Sequence, residues 1–452
     1  MTEEIYDLLV LGAGPGGYVG AIRAAQLGMK VAVVESRRTL GGVCLNEGCI
    51  PSKALLDSSE HFALARDKFE MHGIEITPPK LNLAKMMERK KGVVQDLTGG
   101  IAFLFKKNNV TWIKGRGKLL GADADGLQQV EVEGKHAGLV RAKKLLLATG
   151  GKAVEVPGIA VDGEVIIDNW GALCLNEVPE HLMVVGAGYI GLELGSVWRR
   201  LGAEVTVVEM LPKMLPKADA DTTQALMRSL KKQGFKFHMG TQVAGIEVAG
   251  GKATVKLVKG DKEKEVICDK VLLSIGREPN VDGFGLAEVG VARDDKGFVT
   301  VDEDYKTSVD GIYAVGDLVP GPMLAHKASE EAVVFVERLA GKDAKVHYGT
   351  IPGVCYTWPE QASVGKTEQS LEEKGVAYTV GKFNFIGNGR AHAMAETEGF
   401  VKVLAHAETG KVLGVHIIGP RASDMIAEAV AVMSYGGTAH DIGAMFHGHP
   451  TL

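Results

Sequence analysis

The chain has 452 residues, 46% of them hydrophobic and 24% charged, and a formal net charge of −5. That length predicts roughly three or four domains, and the composition is that of a globular protein with sizeable cores. The acidic balance excludes the basic footprint that nucleic-acid binding leaves, and no apolar run approaches the ~18 residues a membrane span needs.

The first stretch, MTEEIYDLLVLG, is acidic and runs straight into a strand pattern. It lacks the basic segment and apolar run of a secretory signal, so a cytoplasmic protein is expected. In that setting five cysteines are not a disulfide framework, and Cys174, Cys268 and Cys355 read as small buried hydrophobes.

From Tyr6 to Ser36 the chain reads as strand, Gly-x-Gly-x-x-Gly turn, helix and second strand, with Gly12, Gly14 and Gly17 in the turn and Glu35 at the end. The first glycine makes the tight turn. The second lets backbone approach a pyrophosphate, and the third lets helix pack close on strand. The helix N-terminus offers N–H groups to phosphate, and the acid accepts hydrogen bonds from ribose.

Next comes GGVCLNEGCIPSKALL, with Cys44 and Cys49 five residues apart. On an ideal helix such residues are too far apart for a disulfide, which needs Cα atoms about 4.4–6.8 Å apart. The helix must therefore be distorted, and Pro51 supplies a reason by clashing with the carbonyl at Glu47. A helix start would lower a thiol pKa, and strain would make a disulfide there easy to reduce. A redox pair, a metal half-site and two structural thiols are the readings this spacing allows. No second Cys/His pair with matching spacing exists to complete a metal site. Lys53 falls one turn after Cys49.

The strand KKLLLATGG (Lys143–Gly151) would close the first sheet. The fingerprint then returns from His181 to Met210 with Gly186, Gly188, Gly191 and Glu209, the acid again 23 positions after the first glycine. Two such fingerprints predict two bound dinucleotides. No arginine follows Glu209 in MLPKMLPK, which favours NAD over NADP. The strand DKVLLSIGREPN would close this second sheet, and a further strand ends at Gly316-Asp317. From about Tyr348 the pattern alternates strand signals with one helix and carries no fingerprint, which predicts a separate α+β domain.

The cysteine motif, the two glycine modules, YAVGD and the final HGHPT resemble the dihydrolipoamide dehydrogenases, in the disulfide-reductase branch of the pyridine nucleotide flavoenzymes. The resemblance covers essentially the whole chain. It implies an α/β protein with two Rossmann-like dinucleotide-binding domains and a C-terminal α+β dimerisation domain. The implied division is 1–150 for FAD with the redox disulfide, 151–276 for NAD, 277–347 completing the FAD site, and 348–452 for the interface.

FAD, one per subunit, would be held by Gly12, Gly14, Gly17, Glu35, Lys53, Gly117, Gly150, Asp317, Met323, Leu324, Ala325 and His326. NAD would be held by Gly186, Gly188, Gly191, Glu209, Val243 and Gly276. Cys44 would exchange with substrate sulfur and Cys49 would face the flavin. Lys53 would pair with Glu193, and His449, reaching the partner subunit's disulfide, would be the acid–base. The implied substrate is a dihydrolipoyl group on the carrier protein of a 2-oxo acid dehydrogenase or glycine cleavage complex, the implied assembly a homodimer, and no metal is expected. In the family HPTL continues into Ser-Glu, whose Glu orients the histidine; the sequence here runs to Leu452. Related reductases of glutathione, trypanothione or mercuric ion, and a cofactor-bearing subunit without turnover, are the rival readings.

Overall fold

The computed structural model describes residues 4–452. Its contacts divide the chain into two compact units, one of residues up to 54, 87–154 and 276–346, the other of 55–86, 155–275 and 347–452. The division falls inside the helix Cys49–Asp67.

The first unit is built on a parallel sheet in the order Thr111–Lys114, Val31–Glu35, Ile5–Leu11, Gly138–Leu147, Ile312–Ala314. Its strands are near-continuous apolar runs because both faces are covered. Leu9, Leu11, Val34 and Leu147 join one core with the antiparallel strands Arg116–Ala122 and Gln128–Glu133. Leu8, Val10, Val33 and Leu146 join another with the helices on the opposite face. Two of those helices, Pro15–Gln26 and Ala325–Leu339, run side by side in the same direction. A Cβ at Gly16 would lie 3.3 Å from the Ala328 carbonyl oxygen, and one at Gly20 would lie 3.1 Å from Ala332 Cβ. Small residues thus bring the axes close, and both N-termini end up at the same end of the sheet.

The second unit repeats the plan with a parallel sheet in the order Phe235–Met239, Glu204–Glu209, His181–Val185, Lys270–Leu273, Ile166–Ile167. A three-stranded antiparallel sheet, residues 242–268, packs on it through Val243, Val255 and Leu257. Residues 353–419 form a five-stranded antiparallel sheet, one face of which is covered by the helix Ala422–Ser434 through Ala362, Val415, Ile417 and Ile426. The strand Phe400–His406 also carries a charge: Lys402, 1% exposed, bonds Asp219 at 3.0 Å and Asp221 at 3.2 Å. Asp219 is fully buried and caps the helix Ala220–Lys232. Arg200, also buried, pairs with Glu60 at 2.8 Å and so joins the helix Tyr189–Leu201 to the later turns of Cys49–Asp67. Among the described residues no helix is long and apolar enough to cross a membrane.

Candidate functional site

Both glycine turns have the geometry that a dinucleotide needs. Gly12 sits at φ +96° and Gly186 at +104°, and a Cβ on either would collide with a carbonyl oxygen, of Ala148 at 2.4 Å or Ser274 at 2.5 Å. A Cβ on Gly17 or Gly191 would run into the carbonyl of its own first glycine, at 1.9 and 2.3 Å. The middle glycine differs: Gly188 has nothing within 4 Å of its missing Cβ, and Gly14 has only Gly42 Cα at 3.9 Å. The open space lies where backbone would meet a pyrophosphate. The helices that start at Pro15, Tyr189 and Ala325 all lack a side-chain cap, so no side chain competes for the N–H groups they offer.

Each acid also holds its own turn. Glu35 accepts the Ala13 N–H at 2.9 Å and the Arg37 N–H at 2.8 Å. Glu209 accepts Ala187 and Leu211 N–H groups, both at 2.8 Å. The alanine carbonyl is held from the other side, Ala13 by Gly41 N–H at 2.8 Å and Ala187 by Leu215 N–H at 3.1 Å. Both donors have positive φ, +100° at Gly41 and +45° at Leu215.

The glycine pair before the cysteines is thereby explained. Gly42 backs onto the fingerprint, where a Cβ would lie 2.5 Å from Gly14 Cα. This docks the short helix Gly42–Glu47, which carries Cys44, against the cradle. The chain then breaks at Gly48 (φ −138°, ψ −112°) and restarts as Cys49–Asp67. The expected distortion is thus a full break, and Pro51 does not cause it. Pro51 lies in the first turn of the second helix, where its missing N–H costs nothing. Gly48 is held against the first helix, its missing Cβ 3.5 Å from Cys44 Cα.

Both cysteines carry thiols. The Cys44 thiol is pushed far up, first by the hydrogen bond it shares with Cys49, then by burial and by negative charge on Cys49, with Lys53 opposing. The lowering expected for a helix start is therefore reversed at Cys44, because two adjacent sulfurs do not both ionise readily. Tyr18, one residue past Gly17, faces the pair; burial and then charge on Cys44 and Cys49 push its phenol up.

Asp317 is the middle residue of a single turn, Gly316–Leu318, after the strand Ile312–Ala314. A Cβ at Gly151 would lie 3.0 Å from its Oδ2, and Arg277 Nε lies 3.9 Å from the same oxygen. Burial pushes the Asp317 carboxyl up, with Arg277 and Lys327 opposing. Gly150, at φ +74°, and Gly117, on the strand Arg116–Ala122, belong to this unit, as do Lys53 and the stretch Met323–His326. Gly276 also falls in this unit, where its carbonyl accepts the Val154 N–H at 3.2 Å.

In the second unit Val243 lies on the strand Gln242–Ala249. Glu193, 4% exposed, accepts the Tyr356 N–H at 3.0 Å. Burial, with Cys355 and Glu193 adding to it, pushes the Tyr189 phenol up to about 12. His449 is exposed and makes no hydrogen bond or ion pair among the described residues. Its neighbour His447 pairs with Glu428 at 3.0 Å, a bond that raises the imidazole pKa. The histidine turn is held by Thr451, whose hydroxyl donates to Gly448 at 2.8 Å and whose carbonyl accepts from Asn388 at 3.0 Å.

Tyr18, Arg277, Lys327, Glu331 and Tyr356 were not singled out from sequence. Only Tyr18 carried a signal, its place next to the fingerprint. The others reach these groups through contacts distant in sequence, or through a Lys–Glu spacing that reads as a solvated face.

The family model for pyridine nucleotide-disulphide oxidoreductase matches residues 6–332, and the dimerisation domain model of the same family matches 351–452. The chain is 49% identical to dihydrolipoyl dehydrogenase 3 of Pseudomonas putida, over 99% of this chain and 95% of that one. It is 47% identical to the mitochondrial dihydrolipoyl dehydrogenase of Pisum sativum, over 99% of this chain and 89% of that one. Among solved structures it is similar to LpdA of Mycobacterium tuberculosis, with TM-score 0.91 and 26% identity over 98% of this chain and 96% of that one. The chain belongs to the pyridine nucleotide-disulphide oxidoreductase family.

Proposed function

We infer that this chain is a dihydrolipoyl dehydrogenase: it oxidises a dihydrolipoyl dithiol to the disulfide with reduction of NAD. The observation that carries this reading is the Cys44–Cys49 thiol pair, hydrogen-bonded across a helix break and docked on an open glycine cradle. Curated relatives 47–49% identical and of that name support it.

FAD fits the first cradle, with Glu35, Gly117, Gly150, Asp317 and the stretch Met323–His326 around it. NAD fits the second, with Glu209 and Val243. When bound, FAD accepts the electron pair from the protein dithiol and NAD carries it away as hydride. Residues 1–150 and 277–347 would serve FAD, 151–276 NAD, and 348–452 the homodimer.

The protein's own groups supply the sulfur chemistry. The partner subunit's His449 takes a proton from the substrate dithiol. The resulting thiolate attacks Cys44 in the Cys44–Cys49 disulfide, forming a mixed disulfide and releasing Cys49 as thiolate. The second substrate sulfur, deprotonated in turn, displaces Cys44 and closes the substrate disulfide. Cys44 leaves with the proton given up by the second substrate sulfur, because a second charge beside Cys49 is disfavoured. Lys53 keeps a positive charge beside the sulfurs. The substrate dithiol would arrive on a lipoyl-bearing protein of a 2-oxo acid dehydrogenase or glycine cleavage complex, in the cytoplasm.

Steady-state assays test the assignment. Dihydrolipoamide oxidation with NAD should far exceed NADPH-driven reduction of glutathione disulfide; the reverse order would overturn it.

A further inference from the structure

Gly316 lies between the strand Ile312–Ala314 and Asp317, at φ +78°. Its N–H donates to Glu331 Oε2 at 2.8 Å, and its carbonyl accepts Lys327 Nζ at 2.9 Å. Lys327 Nζ and Glu331 Oε1 are 3.0 Å apart, one turn from each other on the helix Ala325–Leu339, and neither side chain has any exposure. The three contacts close a ring that grips both peptide groups flanking Gly316. A Cβ at Gly316 would press on Ala328 Cβ at 3.1 Å, so the helix meets this peptide directly.

A buried ion pair is weak evidence for stability, because apolar side chains of the same volume often serve as well. It supplies direction, since its donors and acceptors satisfy one backbone geometry and no other. Here that geometry belongs to the residue before Asp317, and the pair starts in the same helical turn as Ala325 and His326. It therefore couples two segments that are separate in sequence and that both surround the first cradle.

We propose that Lys327 and Glu331 are positioning residues for the flavin, fixing the Gly316 peptides so that the Asp317 carboxylate is presented to FAD. This rests on the reading that Asp317 binds FAD. Groups that orient ligating side chains cost about 10–100-fold in affinity when removed from metal sites, and a loss near the lower end is expected here.

The test measures FAD release from purified holoprotein by the rise in free-flavin fluorescence. Four variants are compared: Asp317→Asn, Glu331→Gln, Lys327→Arg, and the apolar double Lys327→Met/Glu331→Leu. Asp317→Asn should weaken FAD binding. Glu331→Gln and the apolar double should each weaken it about tenfold, while Lys327→Arg, which keeps a charged donor, retains most of the affinity. In the Asp317→Asn background the Glu331→Gln change should add little, since both act through one carboxylate. The apolar double removes both charges together, so it folds even if a single unpaired charge does not. Wild-type FAD affinity in the double, or full additivity with Asp317→Asn, would overturn the positioning role and leave the flavin reading intact. Unchanged FAD affinity in Asp317→Asn alone would overturn the reading on which it rests.

Discussion

In the first dinucleotide module the Ala13 carbonyl is held by Gly41, and in the second the Ala187 carbonyl is held by Leu215. Both donors sit at positive φ just beyond the second strand, and in both modules the acid at the end of that strand takes the alanine N–H. From there the modules part. Gly41-Gly42 lets the chain turn back onto the cradle as a helix carrying Cys44. Leu215, 2% exposed, holds a left-handed backbone that costs a side chain about 1–2 kcal/mol, and leads to Asp219, the Ala220–Lys232 helix and Lys402. One duplicated clamp thus has two uses. In the first module it docks the helix carrying Cys44 on the glycine turn, and in the second it anchors the cradle to the last sheet.

The largest expected effect breaks the first use alone. Cys44→Ser should lower dithiol turnover on the order of 10³-fold or more. NADH oxidation by a small acceptor that draws on the flavin should stay within about twofold of wild type. Loss of both activities would mean that the sulfur segment and the cradle cannot be separated.

Next comes the anchor of the second module. Lys402→Met leaves Asp219 buried without its cation, which should cost about 3–5 kcal/mol in urea unfolding. A cost below about 1 kcal/mol would show that the anchor does not carry the load assigned to it.

The same change made in both modules should then give opposite readouts. Glu35→Ala and Glu209→Ala each remove a charged acceptor of two N–H bonds, worth about 1.5–3 kcal/mol per bond. The first should yield protein depleted of FAD with an unaltered KM for NAD. The second should keep FAD and raise that KM roughly tenfold or more. Crossed or identical results would contradict the assignment of cofactors to modules.

The smallest effect is confined to the first module. Burial raises the Asp317 carboxyl, so folding favours its protonated form. In flavin-stripped protein it should therefore destabilise at neutral pH, and the penalty should fade as pH drops through its raised pKa toward the ordinary carboxylate range. Asp317→Asn should flatten that part of a Tm-against-pH curve; an unchanged curve would remove the burial effect.

The glycine turns, the paired acids and the cysteine pair were legible because each is local in sequence. The position of the helix break was not. Pro51 is the obvious breaker, yet a proline in a first turn breaks nothing, and the break falls at Gly48 through its packing on Cys44. The direction of the Cys44 shift was missed for a related reason: a helix-start argument treats one thiol alone, while the structure sets two side by side. Lys327 and Glu331 were not singled out, because only the fold buries them around Gly316, and no sequence signal marks Leu215 as left-handed.

The central claim is that reducing equivalents from the second module's nucleotide reach the sulfur pair of the first. Anaerobic holoprotein is labelled with iodoacetamide before and after one equivalent of NADH, and the sites are read by mass spectrometry. NADH and a proton should convert the Cys44–Cys49 disulfide into two thiols, giving new label on Cys44 and Cys49 and no change at Cys174, Cys268 or Cys355. An unchanged pattern at Cys44 and Cys49, with NADH left unoxidised, would contradict the account.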